Sequence, residues 1–180
     1  MIDPLDITQR PYYPIVQDHL DVTLEEELTA RDISSGTFLD VGTFDGSQAN
    51  FLQQKGFTVT ATDIDRRVLY SAMRMYPDVN FMHDDMCNTK LTDSFDYVLD
   101  RGCYHWQEDK HREKYIKNLH KVCKKFLFLK IIVDETCEQH KDIHHIEKNF
   151  GDYFTVLSNT DTQWSPTGSG LSQFLVLEPW

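Results

Sequence analysis

Between Thr37 and Val133 the chain repeats one unit: a short run of apolar and β-branched residues, a turn, then a segment with helical spacing. That alternation constrains the fold more than any other feature. A helix between two strands carries the chain back to the starting edge of the sheet, so consecutive strands lie parallel with helices on both faces. Strands are expected at Thr37 to Val41, Phe57 to Thr62, Val79 to Met82 and Phe95 to Leu99. Lys125 to Val133 (KFLFLKIIV) is almost continuously apolar, as a strand buried on both faces requires. Helices are expected at Asp18 to Arg31, Ser47 to Lys55, Arg66 to Met75 and Asp109 to Lys124, with a more polar one at Glu138 to Asn149.

Two last strands, Tyr153 to Leu157 and Gln173 to Leu177, have no helix between them and are expected to pair antiparallel across a loop at Ser158 to Gly170. The expected fold class is α/β: a Rossmann-like, doubly wound, mostly parallel seven-stranded sheet with an antiparallel C-terminal hairpin. A length of 180 residues suits a single domain. We divide it into an irregular arm and helix (1–33), able to cap a substrate, and a binding core (34–180).

Charge and cysteine content narrow the function classes. The 18 Lys plus Arg stand against 29 Asp plus Glu, giving a formal charge of −11. That balance disfavours nucleic acid and anionic membranes, both of which are bound through excess Lys and Arg. No run of about 18 apolar residues is present, and the N-terminus does not read as a signal peptide. The cysteines, Cys87, Cys103, Cys123 and Cys137, form no C-x-x-C pair. A cytoplasmic protein is the expectation. His140, His144, His145 and Glu147 are checked as metal ligands, but their spacing fixes no third donor, and a solvated helix is expected instead.

In an open parallel sheet, ligands bind beyond the carboxyl ends of the strands. After the first strand comes Asp40-Val41-Gly42-Thr43-Phe44-Asp45-Gly46. It fails the G-x-G-x-x-G dinucleotide pattern, and no P-loop is present. The second strand leads to Asp63, and the third to His83-Asp84-Asp85-Met86. The fourth leads to Asp100-Arg101-Gly102-Cys103-Tyr104-His105-Trp106.

Together these segments resemble the class I S-adenosylmethionine-dependent methyltransferases, over about residues 37 to 133. Asp40, Gly42 and Gly46 match three of four marked positions in the family's first motif, with Phe44 in place of the middle glycine. The Asp100–His105 stretch is similar to the loop of the small-molecule, thiopurine and tellurite-resistance branch. The resemblance implies S-adenosylmethionine as cofactor and methyl transfer to a small molecule as the reaction. It implies a cofactor site of Asp40, Gly42, Thr43, Phe44, Gly46, Asp63, Ile64, Asp85, Met86, Asp100 and Arg101. Within it, Asp63 accepts from the ribose hydroxyls, a geometry that a two-oxygen carboxylate suits. Asp85 receives the adenine amino group, with Asp84 as the alternative register.

His105 can serve as a general base or as a packing residue that shapes the pocket. Tyr104 is a further catalytic candidate. Tyr12, Tyr13 and Trp106 are the expected substrate-pocket aromatics. Asp65 is expected to cap the following helix. The alternatives are other chemistry on bound S-adenosylmethionine, and a non-catalytic binding or regulatory protein. Oligomeric state is left open.

Overall fold

The computed structural model describes residues 17–133, 142–163 and 171–180. In chain order its elements are α1 (Gln17–Ala30), β1 (Thr37–Val41), α2 (Ser47–Gln54), β2 (Thr58–Asp63), α3 (Arg66–Met75), β3 (Asn80–His83) and β4 (Phe95–Arg101). They continue as α4 (Asp109–Val122), β5 (Cys123–Ile132), α5 (Ile143–Phe150), β6 (Phe154–Gln163) and β7 (Leu171–Pro179). Single 3₁₀ turns at Met86–Asn88 and Tyr104–Trp106 sit in the loops after β3 and β4.

The seven strands form one sheet in the order β3-β2-β1-β4-β5-β7-β6. The first five pair in parallel, and β7 runs antiparallel to both neighbours. The order reverses at β1, with β2 on one side and β4 on the other, which opens a crevice at their carboxyl ends.

Side-chain alternation sends successive strand residues to opposite faces. Leu39, Val98, Leu127, Leu129 and Leu175 pack with Tyr115, Ile116 and Leu119 of α4 and with Ile146 and Phe150 of α5. Phe38, Tyr97, Leu99, Phe128, Phe174 and Val176 pack on the other side. There they meet Leu24 and Leu28 of α1, Ala49 and Leu52 of α2, and Leu69 and Ala72 of α3. The second layer is rich in rings: Phe38 meets Phe57 edge-on, with centroids 5.0 Å apart. Burial of these two layers is what holds the sheet between its helices.

Asp65 caps α3 as expected, accepting from the Arg67 amide at 2.9 Å. The chief departure lies in β6, which runs on to Gln163 through residues assigned from sequence to a loop. The polar stretch Ser158–Gln163 forms a strand because it ladders along β7, from Ser158↔Val176 to Gln163↔Leu171. Pairing decides the matter there, not intrinsic preference. The C-terminal helix begins at Ile143, capped by the Asp142 carboxylate. The earlier start expected for it, at Glu138, lies outside the described residues.

Candidate active site

The loops after β1, β2, β3 and β4 enclose a cleft of about 500 Å³. Its first wall is the turn after β1. Gly42 takes a left-handed φ of 64°, and a Cβ there would lie 1.9 Å from the Cys103 sulfur. Glycine is required on both counts. Phe44 also has a positive φ, 53°, a conformation that costs a residue with a Cβ energy. The turn is held in place by the Phe44 amide, which donates to Asp63 Oδ2 at 3.1 Å. The Phe44 ring is left 45% exposed on the cleft.

Asp63 forms the second wall. Its Oδ1 accepts from the Asp65 amide at 2.9 Å, so each carboxylate oxygen already holds one backbone donor. Each retains a further lone pair for a ligand hydroxyl. The exposed Ile64 side chain lies beside it.

The third wall holds two neighbouring carboxylates: Asp85, which the sequence favoured, and Asp84, its alternative register. Asp85 caps the 3₁₀ turn, accepting from the Cys87 amide at 2.8 Å and the Asn88 side chain at 2.9 Å. Asp84 is buried; its Oδ1 accepts from the Lys90 amide at 2.9 Å. Its Oδ2 is buried with no hydrogen-bond partner among the described residues. Both residues line the cleft, together with the Met86 side chain. A buried carboxylate oxygen without a donor is expensive, and a ligand amino group is the chemistry that satisfies it.

Two acids lie deepest. Asp40, at the end of β1, accepts from Thr43 Oγ1 at 2.6 Å. Burial raises its pKa to about 6, with the Thr43 hydrogen bond opposing. Asp100, at the end of β4, is completely buried. It accepts from the Tyr115 hydroxyl at 2.8 Å and from the Cys103 and Tyr104 amides at 2.7 and 3.3 Å. Burial brings its pKa to about 6 as well, with the Tyr115 hydrogen bond opposing.

The structure gathers most of the expected residues into one place. Asp40, Gly42, Thr43, Phe44, Asp63, Ile64, Asp85, Met86, Arg101 and Trp106 all line the cleft. Gly46 stands behind it, where a Cβ would press within 2.7 Å of the Phe81 ring. Asp100 is turned beneath the loop and organises it from below. Tyr104 departs further from expectation. Fully buried, it shares a hydrogen bond of 2.9 Å with His145 Nε2 and meets Phe150 edge-on. Burial holds its hydroxyl well above the ordinary tyrosine range. Tyr104 therefore lies outside the cleft lining formed by the described residues, away from the place its catalytic expectation gave it. His105 is 2% exposed and packs beside Trp106, and it too lies outside the cleft lining formed by the described residues. That favours its packing reading over a general base.

Tyr12, Tyr13 and His140 lie outside the described residues. His144 pairs with Glu147 at 3.6 Å, and His145 is engaged by Tyr104. Residues missed from sequence include Tyr115 and Gln107, which also line the cleft. Tyr115 read only as an apolar position of α4, because nothing in its spacing signals a partner on β4. Gln107 holds the loop after β4 by donating to the Cys103 carbonyl at 3.0 Å.

A mostly parallel seven-stranded sheet in this strand order, with an antiparallel β7, is the class I methyltransferase fold. The methyltransferase domain family model matches residues 38–125, the segment that carries all four loops. Over this segment the chain is similar to a methyltransferase domain, and solved structures of the same fold hold S-adenosylmethionine or S-adenosylhomocysteine. No curated protein matches the sequence. Among solved structures, the chain is similar to the N-methyltransferase NodS from Bradyrhizobium japonicum in complex with S-adenosylhomocysteine. The TM-score is 0.77 at 13% identity, covering 94% of this chain and 93% of that one. It is similar to the 1,6-didemethyltoxoflavin-N1-methyltransferase of Burkholderia thailandensis, with TM-score 0.74, 16% identity and coverage of 92% and 81%. It is also similar to a TehB-like methyltransferase from Corynebacterium glutamicum, with TM-score 0.70, 13% identity and coverage of 89% and 97%. At these identities the likeness is one of fold.

Proposed function

We propose that this protein transfers the methyl group of S-adenosylmethionine to a small-molecule acceptor in the cytoplasm. The observation that carries the reading is the cleft itself. One cavity joins a carboxylate with spare lone pairs at Asp63, an unsatisfied buried oxygen at Asp84 and a left-handed turn at Gly42. The cofactor supplies an electrophilic methyl on a sulfonium.

This chain's residues provide the rest. In this reading Asp63 accepts from the ribose hydroxyls, and Asp84 Oδ2, rather than the Asp85 carboxylate favoured from sequence, accepts from the adenine amino group, because Asp85 is already taken up by its own turn. Met86 and Ile64 offer apolar surface to the ring. The Gly42 turn lets backbone approach closely, and Asp40 and Asp100 set a negative field beneath a cationic ligand. Methyl transfer to a sufficiently nucleophilic acceptor requires alignment and exclusion of water, with no obligatory base. Trp106, which is 64% exposed at the cleft, is assigned to the acceptor side. Small-molecule acceptors are supported by the relatives of this fold, among them a toxoflavin-precursor methyltransferase.

Incubation with S-adenosylmethionine and a panel of amines, thiols, hydroxyls and nitrogen heterocycles tests the reading. Acceptor-dependent S-adenosylhomocysteine, detected by mass spectrometry, is the expected product. Methylthioadenosine in its place would redirect the chemistry, and failure to bind S-adenosylhomocysteine in calorimetry would overturn the reading.

A further inference from the structure

Two cations lie side by side at the carboxyl ends of the central strands. Arg101 ends β4, Lys130 lies on β5, and the two are register partners. Neighbouring strands run about 4.8 Å apart, so the two side chains leave the sheet as neighbours. Leu99 and Phe128, two residues earlier on the same strands, pack in the layer that meets α1, α2 and α3. Alternation puts Arg101 and Lys130 on that same face. Asp40 shares it, since its register partner on β4 is Leu99. A row of charges thus crosses three strand ends in the order Asp40, Arg101, Lys130, one acid followed by two bases.

The row begins in the cleft, which Asp40 and Arg101 both line. It leads away from the carboxylates assigned to the nucleoside. In the order β3-β2-β1-β4-β5, Asp63 and Asp84 stand at the ends of β2 and β3, on one side of β1. Arg101 and Lys130 stand on the other side. Lys130 is also an odd choice for its place. It is 1% exposed, within a stretch, Leu127–Ile132, whose other residues are all apolar. Burial, and then the Arg101 charge, bring its pKa down to about 7 from 10.5. An apolar side chain would incur neither cost. An anion held at the pair reverses both, because an opposite charge favours the protonated amine.

We propose that the methyl acceptor carries an anionic group, a carboxylate or a phosphate, which docks on Arg101 with Lys130 as the second positive charge behind it. This rests on the methyl-transfer reading, which gives the β2–β3 side of the cleft to the nucleoside and leaves the β4–β5 side to the acceptor. A guanidinium suits either group, since its fork of donors matches two oxygens at once. Lys130 acts through the field at Arg101 and is a positioning residue.

Calorimetry on the protein loaded with S-adenosylhomocysteine tests this. The probes are amino-, hydroxy- and mercaptobenzoates, each beside its neutral carboxamide, and aryl phosphates beside the matching phenols. At least one anionic series is expected to bind about tenfold or more tighter than its neutral partners, and the stronger series tells carboxylate from phosphate. Lys130→Met and Lys130→Gln should abolish most of that preference while S-adenosylhomocysteine affinity, which reports folding, stays within about twofold. Anions that bind no tighter than their neutral partners to the wild-type protein overturn the proposal. So does a preference that survives both substitutions. A loss of S-adenosylhomocysteine affinity in variants that keep the wild-type thermal midpoint also overturns it, and assigns the pair to the cofactor's own carboxylate. Anion binding without any methylated product supports the subsite and counts against methyl transfer; methylation of neutral probes alone does the reverse.

Discussion

Gly42 concentrates the strictest demand in the molecule. A side chain there meets both a left-handed backbone and the Cys103 sulfur. Gly42→Ala is expected to cost about 1–3 kcal/mol of stability in urea unfolding and at least tenfold in S-adenosylhomocysteine affinity by calorimetry. Adding Cys103→Ala removes the sulfur and should recover part of both. A second comparison concerns the neighbouring acids after β3. Asp84→Ala deletes the buried oxygen that faces the cleft, so affinity should fall about tenfold or more. Asp85→Ala loses a local cap and should chiefly loosen the Met86–Asn88 turn, with the smaller effect on affinity. The reverse order would move the adenine contact to Asp85. Tyr115→Phe leaves Asp100 short of a buried donor; a loss of about 1–3 kcal/mol is expected, again by urea unfolding.

Elements show how far local rules carry. The α3 helix obeys them: Asp65 caps it, and the Arg67 side chain and amide draw that carboxyl down to about 2. The folded pKa lies below the ordinary 3.8, so the stability it brings is present above pH 4 and lost as pH falls toward 2. Asp65→Ala should cost about 1 kcal/mol at pH 7, and the gap to wild type should close by pH 2, as read from thermal unfolding. The β6 strand shows where local rules stop. Its outer half is polar and turn-like in composition, and only β7 alongside makes it a strand.

Across the whole molecule, buried charge sets the pH response. Asp40 and Asp100 have folded pKa values near 6, above the ordinary 3.8, so the folded state binds more protons than the unfolded one between those values. Their contribution to stability therefore falls as pH rises from 4 to 6. Lys130, buried on β5 next to Arg101 in register, is lowered by burial to about 7 from 10.5. Its unfolded state binds more protons in that interval, so its contribution grows as pH rises from 7 to 10. Together these groups stabilise least between pH 6 and 7. Differences in thermal midpoint between wild type and Asp40→Asn, Asp100→Asn and Lys130→Met, measured from pH 4 to 10, should trace that minimum. A bound cationic cofactor favours ionised acids, so S-adenosylmethionine affinity should rise over pH 5 to 7 while intrinsic stability falls.

Periodicity and turn residues determined the order and kind of the elements, because strand and helix spacing are properties of neighbouring residues. They also located the site: Asp40, Gly42 and Asp63 stand at strand ends, where a parallel sheet places ligands. Tertiary structure decided which side chains face the cleft. The burial of Tyr104 follows from α5, forty residues away in the chain, folding its His145 onto the phenol. The hydrogen bonds that separate Asp84 from Asp85 are local, within the turn from Asp84 to Lys90, but they depend on backbone geometry that residue spacing alone does not record. The burial of Tyr104 depends on contacts between distant segments, which no local spacing records.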